Sequence, residues 1–234
     1  MSAARESALT PRRTGLFGGS FNPVHFGHLR TAEEIRESAA LDEVWLVPAH
    51  QPPHKGAHDV APPADRLRML ELAVAGTPGL RVEPIELERP GPSYTIDTVR
   101  LLKGRHPGRH FALALGMDAF RELHTWHRFL ELPTECDLIV TSRPPDVVAP
   151  GPAALARATS SIAVLESFRY DADIRSFRHL SGNRLDFVPV SAIDISASAL
   201  RAAVATGRSL RFLTPQPVID YIRVHGLYET AANA

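Results

Sequence analysis

The stretch GLFGGSFNPVHFGHLR, from Gly15 to Arg30, gathers Gly18, Gly19, Ser20, His25, Gly27 and His28 between an apolar stub and a helix-like pattern. Glycine lets backbone N–H groups approach a phosphate closely. A helix start adds unpaired N–H groups and a partial positive charge. His28 is expected at that start and His25 one turn before it, so both imidazoles can face one anion. Three readings stand side by side: a phosphate site, a plain Gly-rich turn with two incidental histidines, and a metal site lacking a cysteine or a clear third ligand. The stretch is neither GxxxxGK[ST] nor GxGxxG, so it is not one of the common phosphate loops.

Four further stretches carry chemistry-capable side chains. ISASALR sets Ser196 and Ser198 ahead of a helical pattern with Arg201 one turn on. Ser is a favoured N-cap, but capping does not need the arginine, whose fork suits paired phosphate oxygens. PPHK places His54 and Lys55 in a Pro-rich loop, which by its residues alone reads first as a solvated loop. LGMD ends an apolar run with Gly116 and Asp118, where a carboxylate can accept from ribose hydroxyls or cap a helix. In HTWHRF, Trp126 beside His127 lies among polar residues, so its ring is either core or free to stack on an aromatic ligand.

These groups need a frame. Strand-like runs (TGLFG, EVWLVP, LRVEPIELE, HFALALG, CDLIVTS, LDFVPV) alternate with helical stripes, such as Leu29, Ala32, Ile35, Ala39 and Ile96, Val99, Leu102. HFALALG and CDLIVTS are continuous apolar runs, typical of strands buried on both faces. Alternation of this kind implies an α/β fold: a doubly wound parallel sheet in a single domain with a C-terminal helical portion. In such sheets ligands bind beyond the carboxyl ends of the strands, which is where the opening stretch falls. The expected boundaries are a disordered lead-in over 1–13, the domain over 14–229 and a tail over 230–234. Residues from Arg143 to about Arg184, rich in proline, read as a surface insertion.

Composition narrows the class. The chain has 234 residues with 26 basic and 26 acidic side chains, which argues against a nucleic-acid or membrane-surface binder. The single Cys136 excludes an intramolecular disulfide and multi-cysteine zinc sites, and beside DLIV it reads as core packing. Neither a secretory leader nor a long apolar span is evident, so a cytoplasmic protein is expected.

SFNPVHFGHL resembles the (H/T)xGH signature of the nucleotidyltransferase superfamily. PPHK (52–55), PSYTIDT (92–98), GMDAFRELHTW (116–126) and ISASALR (195–201) are similar to motifs of the bacterial nicotinate mononucleotide adenylyltransferase family, in family order and across nearly the whole chain. Ser198 stands where the family often has threonine, and the hydroxyl is kept. Residues 144 to about 180 match no motif. The resemblance implies transfer of AMP from ATP to nicotinate mononucleotide, with Mg²⁺ carried by the ATP phosphates and no metal site made by the protein. It implies that His25 and His28 are catalytic, with His28 nearest the reacting centre. It assigns Gly18, Gly19, Ser20, His54, Lys55, Gly116, Asp118, Ile195, Ser196, Ser198 and Arg201 to ATP, with Asp118 on the ribose. It assigns Ser93, Tyr94, Thr95, Trp126 and His127 to the acceptor, with Trp126 stacked on the pyridine and backbone N–H groups near Thr95 and His127 reading its carboxylate. His50 and His58 fall in no motif and read as surface residues. The implied partners are the two small substrates, with neither nucleic acid nor membrane, and homo-oligomerisation is left open. The rivals are a superfamily member using another acceptor, such as phosphopantetheine or glycerol phosphate, and a non-catalytic nucleotide-binding module on the same fold.

Overall fold

The computed structural model describes residues 11–50, 60–89, 91–145 and 147–229. In chain order the elements are β1 (Arg12–Gly19), α1 (Phe26–Ser38), β2 (Glu43–Pro48), α2 (Pro63–Val74), β3 (Leu80–Val82), α3 (Thr95–Arg105), β4 (Arg109–Gly116) and α4 (Met117–Arg121). They continue with α5 (Leu132–Glu135), β5 (Asp137–Ser142), α6 (Ala154–Ala158), α7 (Ile162–Ser167), β6 (Phe168–Asp171), β7 (Ser176–His179), β8 (Arg184–Pro189), α8 (Ala197–Ala205) and α9 (Gln216–Val224). The sheet order is β3-β2-β1-β4-β5-β8-β7-β6. The strands from β3 to β8 pair in parallel, whereas β7 pairs antiparallel with both β8 and β6. The expected doubly wound sheet is therefore present. The chain winds outward from β1 to β3, then returns to β4 on the other side of β1, which opens a crevice at the carboxyl ends of β1 and β4.

Period-two alternation on β4 sends its side chains to two different cores. Phe111, Leu113 and Leu115 join Ile96, Val99 and Leu102 of α3 on one face. Ala112 and Ala114 meet Ala32 and Ile35 of α1 on the other. Room on that face is tight beside the turn after α1 as well. A Cβ on the neighbouring Gly15 would sit 2.8 Å from Leu41 Cδ1. On the α1 side, α2, α8 and α9 complete a third cluster through Leu70, Leu200, Val218 and Ile222. Cys136 is fully buried, and burial pushes its thiol up to about 12, as expected of a packing residue.

Three expectations change. β1 begins at Arg12, two residues inside the 1–13 segment read as a lead-in. Gly18 and Gly19 belong to β1 and pair with Val47 and Pro48, so they are sheet residues rather than part of the turn. The stretch from Arg143 to Arg184 is no surface insertion: β6 and β7 extend the sheet, and Leu155, Val164, Phe168 and Phe177 are buried in the core. Among the described residues, no helix is long and apolar enough to cross a membrane.

Candidate active site

The loop between β1 and α1 is tied to the rest of the molecule along its length. Arg66 of α2, fully buried, donates to the carbonyls of Ser20 (2.9 Å), His50 (3.1 Å) and Ala61 (3.1 Å). One guanidinium thus joins the exits of β1 and β2 to the start of α2, and burial lowers its affinity for the proton. Asn22 is a second junction. Its carbonyl accepts from Arg201 (2.9 Å), and its side-chain oxygen accepts from the Ala61 N–H (3.0 Å) and the Tyr228 hydroxyl (2.8 Å). The Thr214 hydroxyl donates to the Val24 carbonyl (2.8 Å), and the Phe26 N–H donates to the Leu213 carbonyl (3.0 Å). Between these anchors Phe21, 1% exposed, holds the left-handed conformation at φ 44°. For a non-glycine residue this costs on the order of 1–3 kcal/mol and persists only where the surroundings over-determine it. The Phe21 ring packs edge-to-face with His28 and Phe17, its centroid 5.1 Å from that of His28 and 6.0 Å from that of Phe17.

This scaffold presents two stacked imidazoles. His25 is the N-cap of α1 and His28 lies in its first turn. The ring centroids are 3.7 Å apart at 28°. The His25 backbone N–H donates to His28 Nδ1 at 3.3 Å. That bond requires an unprotonated Nδ1, so a neutral His28 carries its proton on Nε2. His25 is 6% exposed, and burial followed by the nearby Arg143 charge lowers its pKa to about 4. Its Nδ1 is buried with no hydrogen-bond partner among the described residues. Gly27 leaves room for it: a Cβ there would lie 3.0 Å from that nitrogen.

A cleft of about 1020 Å³ opens above the pair. Its walls include Ser20, His25, His28, Gly116, Asp118, Ile195, Ser196, Ser198 and Arg201. Nine of the residues assigned to phosphate or ATP chemistry, drawn from three segments far apart in sequence, therefore share one cavity. Gly18 and Gly19 do not line it. A Cβ at Gly19 would instead meet the Phe21 ring at 3.1 Å, so that glycine serves packing. His54, Lys55 and His58 lie outside the described residues. His50, expected at the surface, is half-buried and has a buried Nδ1 with no hydrogen-bond partner among the described residues. Ser196 caps α8 by accepting from the Ala199 N–H (3.2 Å) and lies 3.1 Å from the Ser198 hydroxyl. The cap and the cleft-facing hydroxyl pair are one arrangement. The Asp118 side chain is 96% exposed, with Arg121 3.7 Å away.

Sequence reasoning missed Arg143 and Arg121, which also line the cleft. Arg143 directly follows β5, so the rule that singled out Asp118 after β4 could have found it. Buried Arg66 left no such signal, because its partners are all backbone carbonyls. Arg121, Arg143 and Arg201 against Asp118 and Asp194 give the lining an excess of positive charge in a chain of zero formal net charge.

The residues expected to hold the acceptor do not line that cleft. Tyr94 is the N-cap of α3, and its ring lies 4.3 Å from that of His127. Glu86 lies behind them, accepting from Thr98 (2.8 Å) and from Ser93, and burial pushes its carboxyl up. Trp126 is half-buried against the core cluster on the α3 side of the sheet. Among the described residues, no three His, Cys, Asp or Glu side chains converge as a metal cage.

A doubly wound sheet with a basic, histidine-bearing cleft at its switch point defines a nucleotide-binding protein of the α/β class. The sequence pattern of the cytidylyltransferase-like family matches residues 16–203. A probable nicotinate-nucleotide adenylyltransferase of Geobacter metallireducens is 38% identical over 216 residues, covering 92% of this chain and 98% of its own. A protein of the same name from Pseudomonas aeruginosa is 41% identical over 218 residues, covering 93% and 97%. The nicotinic acid mononucleotide adenylyltransferase of Plasmodium falciparum, solved with NaAD, superposes with a TM-score of 0.67 at 17% identity over 93% of this chain and 97% of that one, which shows a shared fold. The chain belongs to the cytidylyltransferase-like family, within its nicotinate-nucleotide adenylyltransferase branch.

Proposed function

We propose that the protein transfers the adenylyl group of ATP to nicotinate mononucleotide, releasing pyrophosphate and forming nicotinate adenine dinucleotide, a step of NAD biosynthesis. The observation that carries this reading is the convergence of His25, His28, Ser198 and Arg201 on one basic cleft, in a chain 38% to 41% identical over nearly its full length to relatives of that name.

The attacking group is a phosphate oxygen of the acceptor. It forms a bond to the α-phosphorus of ATP as the bond to the bridging oxygen of the leaving pyrophosphate breaks. An anionic phosphate needs no deprotonation, so the reaction calls for no serine, cysteine or lysine nucleophile. The barrier lies in bringing anions together and in charge growing on the leaving group, so positioning and electrostatic stabilisation carry catalysis. His28 Nε2–H is the donor for the α-phosphate region. Neutral His25 stacks behind it and offers a second nitrogen to the same phosphates. Arg201 and the Ser196–Ser198 hydroxyls receive the β- and γ-phosphates, Arg121 and Arg143 add charge along the path, and Asp118 accepts from the ribose. Mg²⁺ fits by riding on ATP phosphate oxygens, its usual habit, and would supply charge neutralisation there.

Trp126 would stack on the pyridine, while N–H groups near Thr95 and His127 read its carboxylate. A site built to hydrogen-bond one group rejects an analogue that leaves its donors unpaired. Nicotinate mononucleotide should therefore be used far better than nicotinamide mononucleotide. Pyrophosphate release with ATP, Mg²⁺ and a panel of acceptors tests the whole reading. Equal kcat/KM for the two pyridine nucleotides would remove the selectivity. Turnover only with phosphopantetheine or glycerol phosphate would replace the function, and no turnover with any acceptor would favour a binding module. Such a role suits a cytoplasmic enzyme.

A further inference from the structure

At the opposite end of the sheet, the amino ends of β1, β4, β5 and β8 and the end of β7 enclose a second cavity of about 260 Å³. Its lining is Arg13, His110, Asp137, Arg178, Gly182 and Arg184. The six residue steps along β4 from His110 to Gly116 separate it from the large cleft by about 20 Å at the usual rise of a strand.

The charges in this cavity do not cancel. Asp137 is buried and holds His110 Nε2 at 2.9 Å, Arg13 Nη2 at 3.3 Å and the Arg184 backbone N–H at 2.8 Å. Burial alone would raise its carboxyl, but the His110 bond, the Arg184 N–H and the Arg13 charge outweigh that and hold it below the usual carboxylate range. Arg13 spends a second nitrogen on the Ala39 carbonyl (2.7 Å). Arg178 is forked onto Asp171 at 3.1 and 3.2 Å. Arg184 is different. Its guanidinium has no hydrogen-bond or ion-pair partner among the described residues, although the residue is half-buried. The register sets it directly opposite Arg178 across the β7–β8 pair. Like charges directly opposite on a sheet repel, and here the two carboxylates are already engaged by other groups. A compact anion would offset that repulsion and occupy a free fork suited to paired oxygens.

We propose that this cavity is a second ligand site, taking a phosphate-type oxyanion through Arg184 with Arg178, Arg13 and His110 around it. The proposal does not depend on the reaction assigned to the large cleft. Calorimetric titration of the full chain with inorganic phosphate, and separately with pyrophosphate, tests it. Binding should persist in Arg201→Gln, which weakens the large cleft, and should weaken at least about tenfold in Arg184→Gln. Tighter binding of pyrophosphate than of phosphate would identify a diphosphate group as the ligand, and equal binding a monophosphate. Arg184→Gln should melt no lower than the unaltered protein and keep its adenylyl transfer, since the fork holds nothing within the fold and its charge only repels Arg178. Arg178→Gln gives an independent readout, with weaker anion binding in the Arg201→Gln background. Anion affinity unchanged in both Arg184→Gln and Arg178→Gln would overturn the proposal.

Discussion

The ATP side and the acceptor side of the candidate site are built differently. The 20–28 loop is fixed by Arg66, Arg201 and Thr214, which donate to its carbonyls, and by Tyr228, which donates to the buried Asn22 side-chain oxygen. The acceptor group relies on a ring contact between exposed Tyr94 and His127, the Glu86 carboxyl behind Ser93, and a half-buried tryptophan. Charge stabilisation of a transition state works best with donors that need no reorganisation, whereas a planar ring can be gripped by side chains that settle on it. Under the proposed function, the rigid half would take the phosphates and the adjustable half the pyridine.

The contrast is broken most severely at His28. His28→Ala should lower kcat by roughly 10²–10³ with the fold retained, the usual scale for losing a charge-stabilising donor. Steady-state rates alongside thermal melts check it, and near-normal turnover in a folded variant would remove His28 from the chemistry.

The next effect comes from His25. Its folded pKa is near 4 against an ordinary 6.5, so between those values the unfolded chain binds more protons. The stability held by the neutral ring is complete above about pH 6.5 and is lost as the pH falls toward 4, by at most about 3 kcal/mol. Denaturant titrations from pH 7 to 4 should show this slope, and His25→Gln should flatten it. An identical slope in that variant would mean that other groups carry it.

Trp126→Ala probes the adjustable half. A rise in acceptor KM of roughly one to two orders of magnitude, with little change for ATP, is expected from lost stacking and burial. A large drop in melting temperature with both KM values unchanged would make the ring a core residue only.

The smallest effect sharpens the rigid half. Tyr228→Phe deletes the hydroxyl bond to Asn22 and should cost about 1 kcal/mol. If the loop is a single rigid unit, kcat should fall with that loss while acceptor KM holds. Unchanged kcat would mean that the remaining ties suffice.

The frame of this molecule was legible where periodicity is strong. HFALALG and CDLIVTS read as buried parallel strands because both of their faces are covered. The carboxyl-edge rule then led from Gly116 and Asp118 to the cleft. Residues 143 to 184 were misread because β6 and β7 are four residues each, too short to show a period, and proline surrounds their approach. Gly18 and Gly19 resembled a turn because glycine marks both turns and tight packing. Arg66 was invisible because a charged residue in a helix gives no sign that backbone carbonyls will surround it. Arg143 stands at the carboxyl end of β5, where the same edge rule applies.

The two outermost strands have a consequence for the protein in a crowded solution. β3 spans three residues and β6 four, and β6 carries Arg169 and Asp171. A long, flat, apolar border would be a template on which other chains could add strands, and short charged borders are a common defence against this. Both margins of the eight-stranded sheet formed by the described residues are too brief to offer such a template.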